Sequence, residues 1–187
     1  MQSTHTKVLF VEDNPVDARM IERSLVRSAH TNFELHHVVD LASALAALRR
    51  SDKFDAVLLD LMLPDSVGGV ETIRAIHEIR REIPIVVLTG MEDTEFALAA
   101  VREGAQDYLV KEQCEADNLV RSIRYSIERV RHTISERELS EARHQLVMGG
   151  RVQQAKFPRS CPALPGYDIA GLCVPAEATG GDYFDYF

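Results

Sequence analysis

Five short apolar runs, at residues 8–11, 33–39, 56–59, 85–88 and 108–110, punctuate the first 118 residues of this 187-residue chain. Each is made largely of β-branched or other apolar residues and is shorter than a core helix, which reads as a strand. Between them the apolar residues recur at helical spacing: Ala18, Ile21, Leu25 and Val26, then Leu41, Ala44, Leu45 and Leu48. Val70, Ile73, Ile76 and Ile79 form a third such face, and Phe96, Ala99, Ala100 and Val101 a fourth. Strands alternating with helices of this length pair in parallel, because a parallel connection must cross over the sheet. The runs are nearly continuous rather than alternating, as expected where helices cover both faces. Asn14-Pro15 marks a helix start and Gly104 a helix end before the fifth strand. The expected fold is α/β: a five-stranded parallel sheet in the order 2-1-3-4-5 with helices on both faces.

The remaining residues have a different texture. From Cys114 to about residue 157 the chain reads as one long helix, in which Val120, Ile123, Ile127, Val130 and Ile134 step by three and four. The seam then loses phase at Arg137, and Leu139, Ala142 and Leu146 resume it before Gly149-Gly150. Val120, Ile123 and Ile127 are expected to pack on the sheet, since its last helix must bury one face. The later apolar positions are left to meet a partner, giving a parallel homodimer, although Arg137, Glu141 and His144 weaken a tight coiled coil. A helix that stays monomeric, or docks on the domain that continues beyond it, is the alternative. Beyond Pro158 the chain is rich in Pro and Gly, with strand-like pieces at 167–174 and 183–187 that make an incomplete β segment. About 30 residues do not bury a core unaided, so this part reads as the beginning of a domain that continues past Phe187. The expected organisation is a domain over 1–118 whose last helix reaches about 127, a helical linker over 119–157, and a truncated second domain over 158–187.

Charge separates the same parts. Residues 1–118 hold 12 Lys/Arg against 21 Asp/Glu, whereas residues 119–187 hold 9 against 8. With a net charge of −8, the chain lacks the basic surplus of a general nucleic-acid binder. No apolar run approaches the roughly 20 residues of a membrane helix, and no signal-peptide core precedes residue 8. Cys114, Cys161 and Cys173 show no metal-site spacing and suit a reducing compartment. The expected location is the cytoplasm, without nucleic-acid or membrane partners.

In an open parallel sheet, ligands bind at the carboxyl ends of the strands, where the strand order reverses. Glu12 and Asp13 follow the first strand, and Asp60 ends the third. In the order 2-1-3-4-5 those strands are neighbours about 4.8 Å apart, so three carboxyl groups crowd one rim. Their charges repel unless a cation sits among them, and a partly open set of hard oxygen donors suits Mg2+. Thr89 and Lys111 close the fourth and fifth strands and add a hydroxyl and an ammonium to the rim. Such a set fits a tetrahedral anion, which points to phosphoryl transfer onto a carboxylate. Any one of these acids alone reads as a solvated loop charge; the inference rests on their placement at successive strand ends. Asp65 reads as a loop acid. His36 and His37 are adjacent in a strand and face opposite ways, which argues against a shared metal. A flavodoxin-like cofactor binder fits poorly, because the first loop is Glu12-Asp13-Asn14-Pro15 rather than rich in Ser, Thr or Gly.

The motifs Val11-Glu12-Asp13-Asn14, Leu59-Asp60-Leu61-Met62-Leu63-Pro64-Asp65, Leu88-Thr89-Gly90 and Asp107-Tyr108-Leu109-Val110-Lys111 resemble the CheY-like receiver domain of two-component response regulators. The resemblance covers residues 7 to about 127. It implies that Asp60 accepts a phosphoryl group from a histidine kinase or phosphotransfer protein. It also implies Mg2+ held by Glu12, Asp13, Asp60 and the Met62 backbone carbonyl, with Thr89 and Lys111 on the phosphoryl group and Tyr108 swinging inward on activation. One departure is Glu112, where the family usually has proline after the lysine.

A second resemblance involves Gln153-Gln154-Ala155-Lys156-Phe157-Pro158, Tyr167-Asp168-Ile169-Ala170, Pro175-Ala176 and Gly180-Gly181-Asp182-Tyr183-Phe184-Asp185. These are similar to the opening of bacterial PPM-type serine phosphatases that regulate sporulation and stress sigma factors. That likeness implies that Asp182, assisted by the Gly181 backbone, is a ligand of a Mn2+ or Mg2+ centre acting on a phosphorylated anti-sigma-factor antagonist. One carboxylate does not hold a two-metal site, so this chain alone is not expected to be a phosphatase. The expected function is a response regulator whose receiver controls a phosphatase through the long helix. The alternative is a phosphorylation-dependent adaptor that recruits a protein partner, with the phosphatase-like part inactive.

Overall fold

The computed structural model describes residues 5–27, 33–50, 53–66, 69–90, 94–163, 165–175, 177–182 and 184–186. The chain forms two compact units, Met1–His132 and Thr133–Phe187. In the first, β1 (Thr6–Val11), β2 (Phe33–Val38), β3 (Ala56–Asp60), β4 (Ile85–Thr89) and β5 (Asp107–Val110) form one parallel sheet in the order β2-β1-β3-β4-β5. The intervening helices are α1 (Pro15–Arg27), α2 (Leu41–Arg49), α3 (Val70–Ile79) and α4 (Thr94–Arg102), and α5 (Ala116–Ala155) follows the last strand.

Alternate strand residues feed two cores. Leu9, Val11, Val57, Leu59, Ile85 and Val87 pack with Ala44, Ala47 and Leu48 of α2, Ile73 and Ile76 of α3 and Ala100 of α4. Val8, Phe10, Ala56, Leu58, Val86 and Leu88 pack on the opposite face with Ala18, Ile21 and Leu25 of α1 and Leu119, Ile123 and Ile127 of α5. Val26 belongs to the first expected helical face, but its side chain lies outside the described residues. His36 and His37 obey the same alternation: the His36 ring lies 5.6 Å from Phe54, and the His37 ring 5.2 Å from Phe10.

Burial on both faces is complete only in the interior: every residue of β3 and β4 is buried, whereas β2 alternates between half-buried and exposed positions. An edge strand has a neighbour on one side only, so its apolar run does not ensure burial. In α4, Ala100 is buried while Phe96 and Val101 are 54% and 42% exposed, so the expected apolar face turns only its small residues to the sheet. Gly104 adopts φ +108°, and a Cβ there would stand 3.1 Å from His77 Cε1. Glycine satisfies both conditions while its amide donates to the Val101 carbonyl at 3.1 Å to end α4.

In α5 the residues fully buried against the sheet are Leu119 and Ile123, with Ile127, Ser122 and Ser126 beside them, whereas Val120 is only partly buried. Ser122 Oγ donates to Asp107 Oδ2 at 2.6 Å, which satisfies a hydroxyl on the buried face. Residues Lys111–Gln113 form a single 3-10 turn between β5 and α5. In the second unit Leu139 and Leu146 are 53% and 55% exposed. Gln153 makes two bonds to Gly180, Nε2 to the carbonyl at 2.6 Å and Oε1 from the amide at 2.9 Å. Phe157 stacks on Phe184 with centroids 5.2 Å apart.

Of the strand-like pieces at 167–174 and 183–187, Tyr167 makes an isolated β-bridge, and among the described residues no longer strand follows β5. Tyr183 and Phe187 themselves lie outside the described residues. Tyr167, Leu172 and Val174 are more than three-quarters exposed, and a single bridge with no buried face does not build a stable sheet.

Candidate functional site

Parallel register brings the chemistry to one rim. Val11 pairs with Leu59, Asp60 with Leu88, and Thr89 with Val110. The residues at or just past those pairs are Glu12, Asp60, Thr89 and Lys111. The Glu12 amide donates to the Val38 carbonyl at 3.0 Å, which continues the β1 ladder by one residue. His37 Nε2 lies 2.8 Å from the Glu12 carbonyl. Beyond it, Asn14 starts α1: its Oδ1 accepts from the Val16 amide at 2.9 Å and its carbonyl from Ala18 at 3.0 Å. Glu12 Oε1 accepts from the Asn14 amide at 3.1 Å, so the helix start also orients the acid.

Glu12 and Asp60 are 0% and 4% exposed, while Asp13 is exposed. One oxygen from each of the three can be chosen so that all lie within 4.8 Å of one another. Asp60 Oδ1 accepts from the Met62 amide at 2.9 Å. Lys111 Nζ bridges the set, 2.7 Å from Glu12 Oε2, 2.8 Å from Asp60 Oδ2 and 3.1 Å from Asp17 Oδ2. Burial, together with the nearby Asp60 charge, pushes the Glu12 carboxyl up to about 7, although its bonds to Lys111 and the Asn14 amide pull the other way. Burial alone would lower the Lys111 ammonium, but hydrogen bonds and attraction from Asp60 and Glu12 outweigh it and hold it above its ordinary value.

Asp17 is the member that sequence reading did not single out. Its signal is an acid in the first turn of a helix whose start follows the acidic loop. Thr89 is buried at the end of β4, and Tyr108 is half-buried against the core on the α2–α3–α4 face. Met62 is 68% exposed between Leu61 and Leu63, which are 3% and 4% exposed. Gly181 and Asp182 are exposed, and among the described residues Asp182 joins no group of three metal-binding side chains.

Three of these acids, Glu12, Asp17 and Asp60, therefore share one lysine, and Asp13 stands beside Glu12 and Asp60. Of the four rim acids Glu12 and Asp60 are almost fully buried, and one lysine leaves the negative charge unbalanced. All donors are hard oxygens and one acid faces solvent, which fits Mg2+ retaining part of its water shell. The chemistry available is cation-assisted handling of a phosphoryl group at a carboxylate.

A doubly wound sheet in this order with a buried acid at its switch point and an acid cluster on the same rim defines a class of phosphoryl-handling signalling domains. The response regulator receiver domain matches residues 8–124. This chain belongs to that family. It is 38% identical over 106 residues to the response regulator ArlR of Staphylococcus saprophyticus, covering 57% of this chain and 46% of that protein. The corresponding protein of Staphylococcus aureus is 36% identical over the same length. The chain thus spans about half the length of these curated relatives. Among solved structures, a response regulator receiver domain protein from Clostridium thermocellum superposes with TM-score 0.60 at 25% identity, covering 68% of this chain and 98% of that one. The receiver domain of a sensor histidine kinase from Pseudomonas aeruginosa, solved with a magnesium ion in its active-site cleft, gives TM-score 0.56 at 29% identity, covering 67% and 99%. An adenylate cyclase structure from Rhodopirellula baltica gives TM-score 0.62 at 26% identity, covering 74% and 98%. Among the described residues, no helix is long and apolar enough to cross a membrane.

Proposed function

We propose that this chain is the phospho-accepting part of a cytoplasmic two-component response regulator, with Asp60 as the acceptor. The observation that carries the reading is the Asp60 carboxylate itself, held by the Met62 amide at 2.9 Å and Lys111 Nζ at 2.8 Å beside Glu12. A carboxylate oxygen of Asp60 attacks the phosphorus of a phosphohistidine on a kinase or phosphotransfer protein. The O–P bond forms as the N–P bond breaks, and the departing imidazole takes up a proton. Mg2+ on Glu12, Asp13, Asp60 and the Met62 backbone carbonyl would supply charge neutralisation at the phosphoryl oxygens. Lys111 holds one phosphoryl oxygen and the Thr89 hydroxyl donates to another. Tyr108 follows Thr89 inward, which shifts the balance of two pre-existing states of the domain.

The continuous helix α5 (Ala116–Ala155) suggests the route to an output. We assign that output to a PPM-type phosphatase acting on a phosphorylated anti-sigma-factor antagonist, with Asp182 and the Gly181 backbone contributing to its metal centre. The support is the motif order across 153–158 and 180–185. A homodimer formed through α5 would set two such outputs against one another. The exposed Leu139, Leu146, Val147 and Met148 favour a second reading, an adaptor that recruits a protein partner along the helix.

The phosphotransfer reading is tested by incubating the chain with Mg2+ and acetyl phosphate and measuring intact mass. Wild type should gain one phosphoryl group and Asp60→Asn none; equal uptake by that variant would sink the assignment. Hydrolysis of a phosphoserine peptide by the full-length protein, lost in Asp182→Asn, separates the phosphatase from the adaptor.

A further inference from the structure

Asp65, which reads in sequence as an ordinary loop acid, makes a specific long-range contact. Its Oδ1 accepts from the Leu41 amide at 2.9 Å and its Oδ2 from the Ala42 amide at 3.0 Å. These are the first two amides of α2, which lack carbonyl partners inside the helix. The helix already has a local cap, because Asp40 Oδ1 accepts from the Ser43 amide at 2.6 Å. A second carboxylate, 23 and 24 residues away in sequence, is not needed to start the helix. What it fixes is the loop that carries it.

That loop begins at Asp60. Asp60 Oδ1 holds the Met62 amide, and Leu61 and Leu63 are buried on either side of Met62. The amide and hydroxyl of Ser66 both donate to the Leu63 carbonyl, at 3.2 and 3.0 Å. Asp65 then ties the turn to α2. Every bend between the acid at the rim and the clamp at α2 is held by a named contact.

We infer that Asp65 is a positioning residue for the Asp60 site: its clamp on the first turn of α2 holds the 60–66 loop so that the Asp60 carboxylate and the Met62 backbone meet a cation in one geometry. The inference rests on the reading of Asp60, Glu12 and Asp13 as the Mg2+ and phosphoryl site. Without the clamp the loop samples more arrangements, and binding the cation must order it first. Linkage makes the effect reciprocal: a cation at the rim steadies the Leu41 and Ala42 amides.

The test measures Mg2+ affinity by calorimetry on the whole chain at high salt, where long-range charge effects are screened. Asp65→Ala should weaken Mg2+ roughly tenfold, as losses of supporting residues around metal sites do. Asp65→Asn removes the same charge but keeps one acceptor oxygen, and should weaken it less. Asp40→Ala removes a charge and a bond at the same helix end without touching the 60–66 loop; it should lower the melting temperature and leave Mg2+ affinity unchanged. Amide exchange at Leu41 and Ala42 should slow with Mg2+ in wild type and not in Asp65→Ala. Wild-type affinity in both Asp65 variants overturns the inference, as does equal weakening by alanine and asparagine, or by Asp40→Ala. A wild-type chain that binds no Mg2+ overturns the inference together with the site reading. A chain that binds Mg2+ with the expected variant order, yet takes no phosphoryl group at Asp60, supports the clamp and refutes the phosphotransfer reading alone.

Discussion

Replacing Lys111 by methionine isolates the electrostatic design of the rim. The ammonium touches Glu12, Asp60 and Asp17 at 2.7, 2.8 and 3.1 Å, and its side chain is only 12% exposed. Methionine preserves most of the length and volume, so the packing loss is small. What disappears is the counter-charge to two buried carboxylates, and breaking a buried pair from one side costs about 3–5 kcal/mol. Proton uptake limits the cost. Glu12, already pushed up to about 7 by burial, rises further once its bond to Lys111 is gone and is neutral at pH 7. The lower end, about 3 kcal/mol, is therefore expected. For a unit of this size about 1 kcal/mol moves the melting temperature by about 3–5 °C, so the variant should melt roughly 10 °C lower in EDTA. Saturating Mg2+ should recover more stability in the variant than it adds to wild type, because it replaces the missing positive charge. Thermal melts by circular dichroism with EDTA and with Mg2+ read both effects. A variant within about 2 °C of wild type in EDTA, a shift worth well under 1 kcal/mol, would refute the assigned role of Lys111.

Two further predictions concern the frame. Ile123→Ala removes a fully buried side chain between α5 and the sheet and should cost about 2–5 kcal/mol in urea unfolding, whereas Leu139→Ala, at a site 53% exposed, should cost less than about 1; equal costs would contradict the placement of the two. Burial holds the His77 ring below the usual histidine range, despite a 3.4 Å contact with the Ile83 carbonyl. The folded state then binds fewer protons than the unfolded one, so this contribution is fully present above about pH 6.5 and lost as pH falls through the folded value. His77→Gln should flatten that part of the stability profile between pH 7 and 5, and an unchanged slope would refute it.

The parts of the site that were legible in sequence share one property: they sit at the ends of strands. Glu12, Asp13, Asp60, Thr89 and Lys111 are positioned by a parallel sheet whose strands end along one line, so recognising the strands suffices to gather them. Asp17 and Asp65 were not legible for a complementary reason. Asp17 reaches Lys111 from a helix, across 94 residues of sequence, and Asp65 reaches α2 from a loop. Neither distance is encoded in local spacing. In α5 the heptad steps pick out Val120, Ile123 and Ile127, which pack on the sheet, but not Leu119, Ser122 and Ser126, which are buried beside them. A serine that donates to Asp107 is as compatible with burial as an apolar residue, and hydrophobic periodicity does not register it.

The alternation of strands and helices, the two-sided burial of the central strands and the acids at the rim are all written in the order of residues, because they follow from side-chain periodicity and backbone crossover rules. Only the folded chain shows which acids share Lys111, that burial raises Glu12, which turn of α5 faces the sheet, and that Asp65 clamps α2. Those outcomes depend on distances between segments remote in the chain. A charge or hydrogen bond acts over a few ångströms in space, whatever the number of residues between its partners.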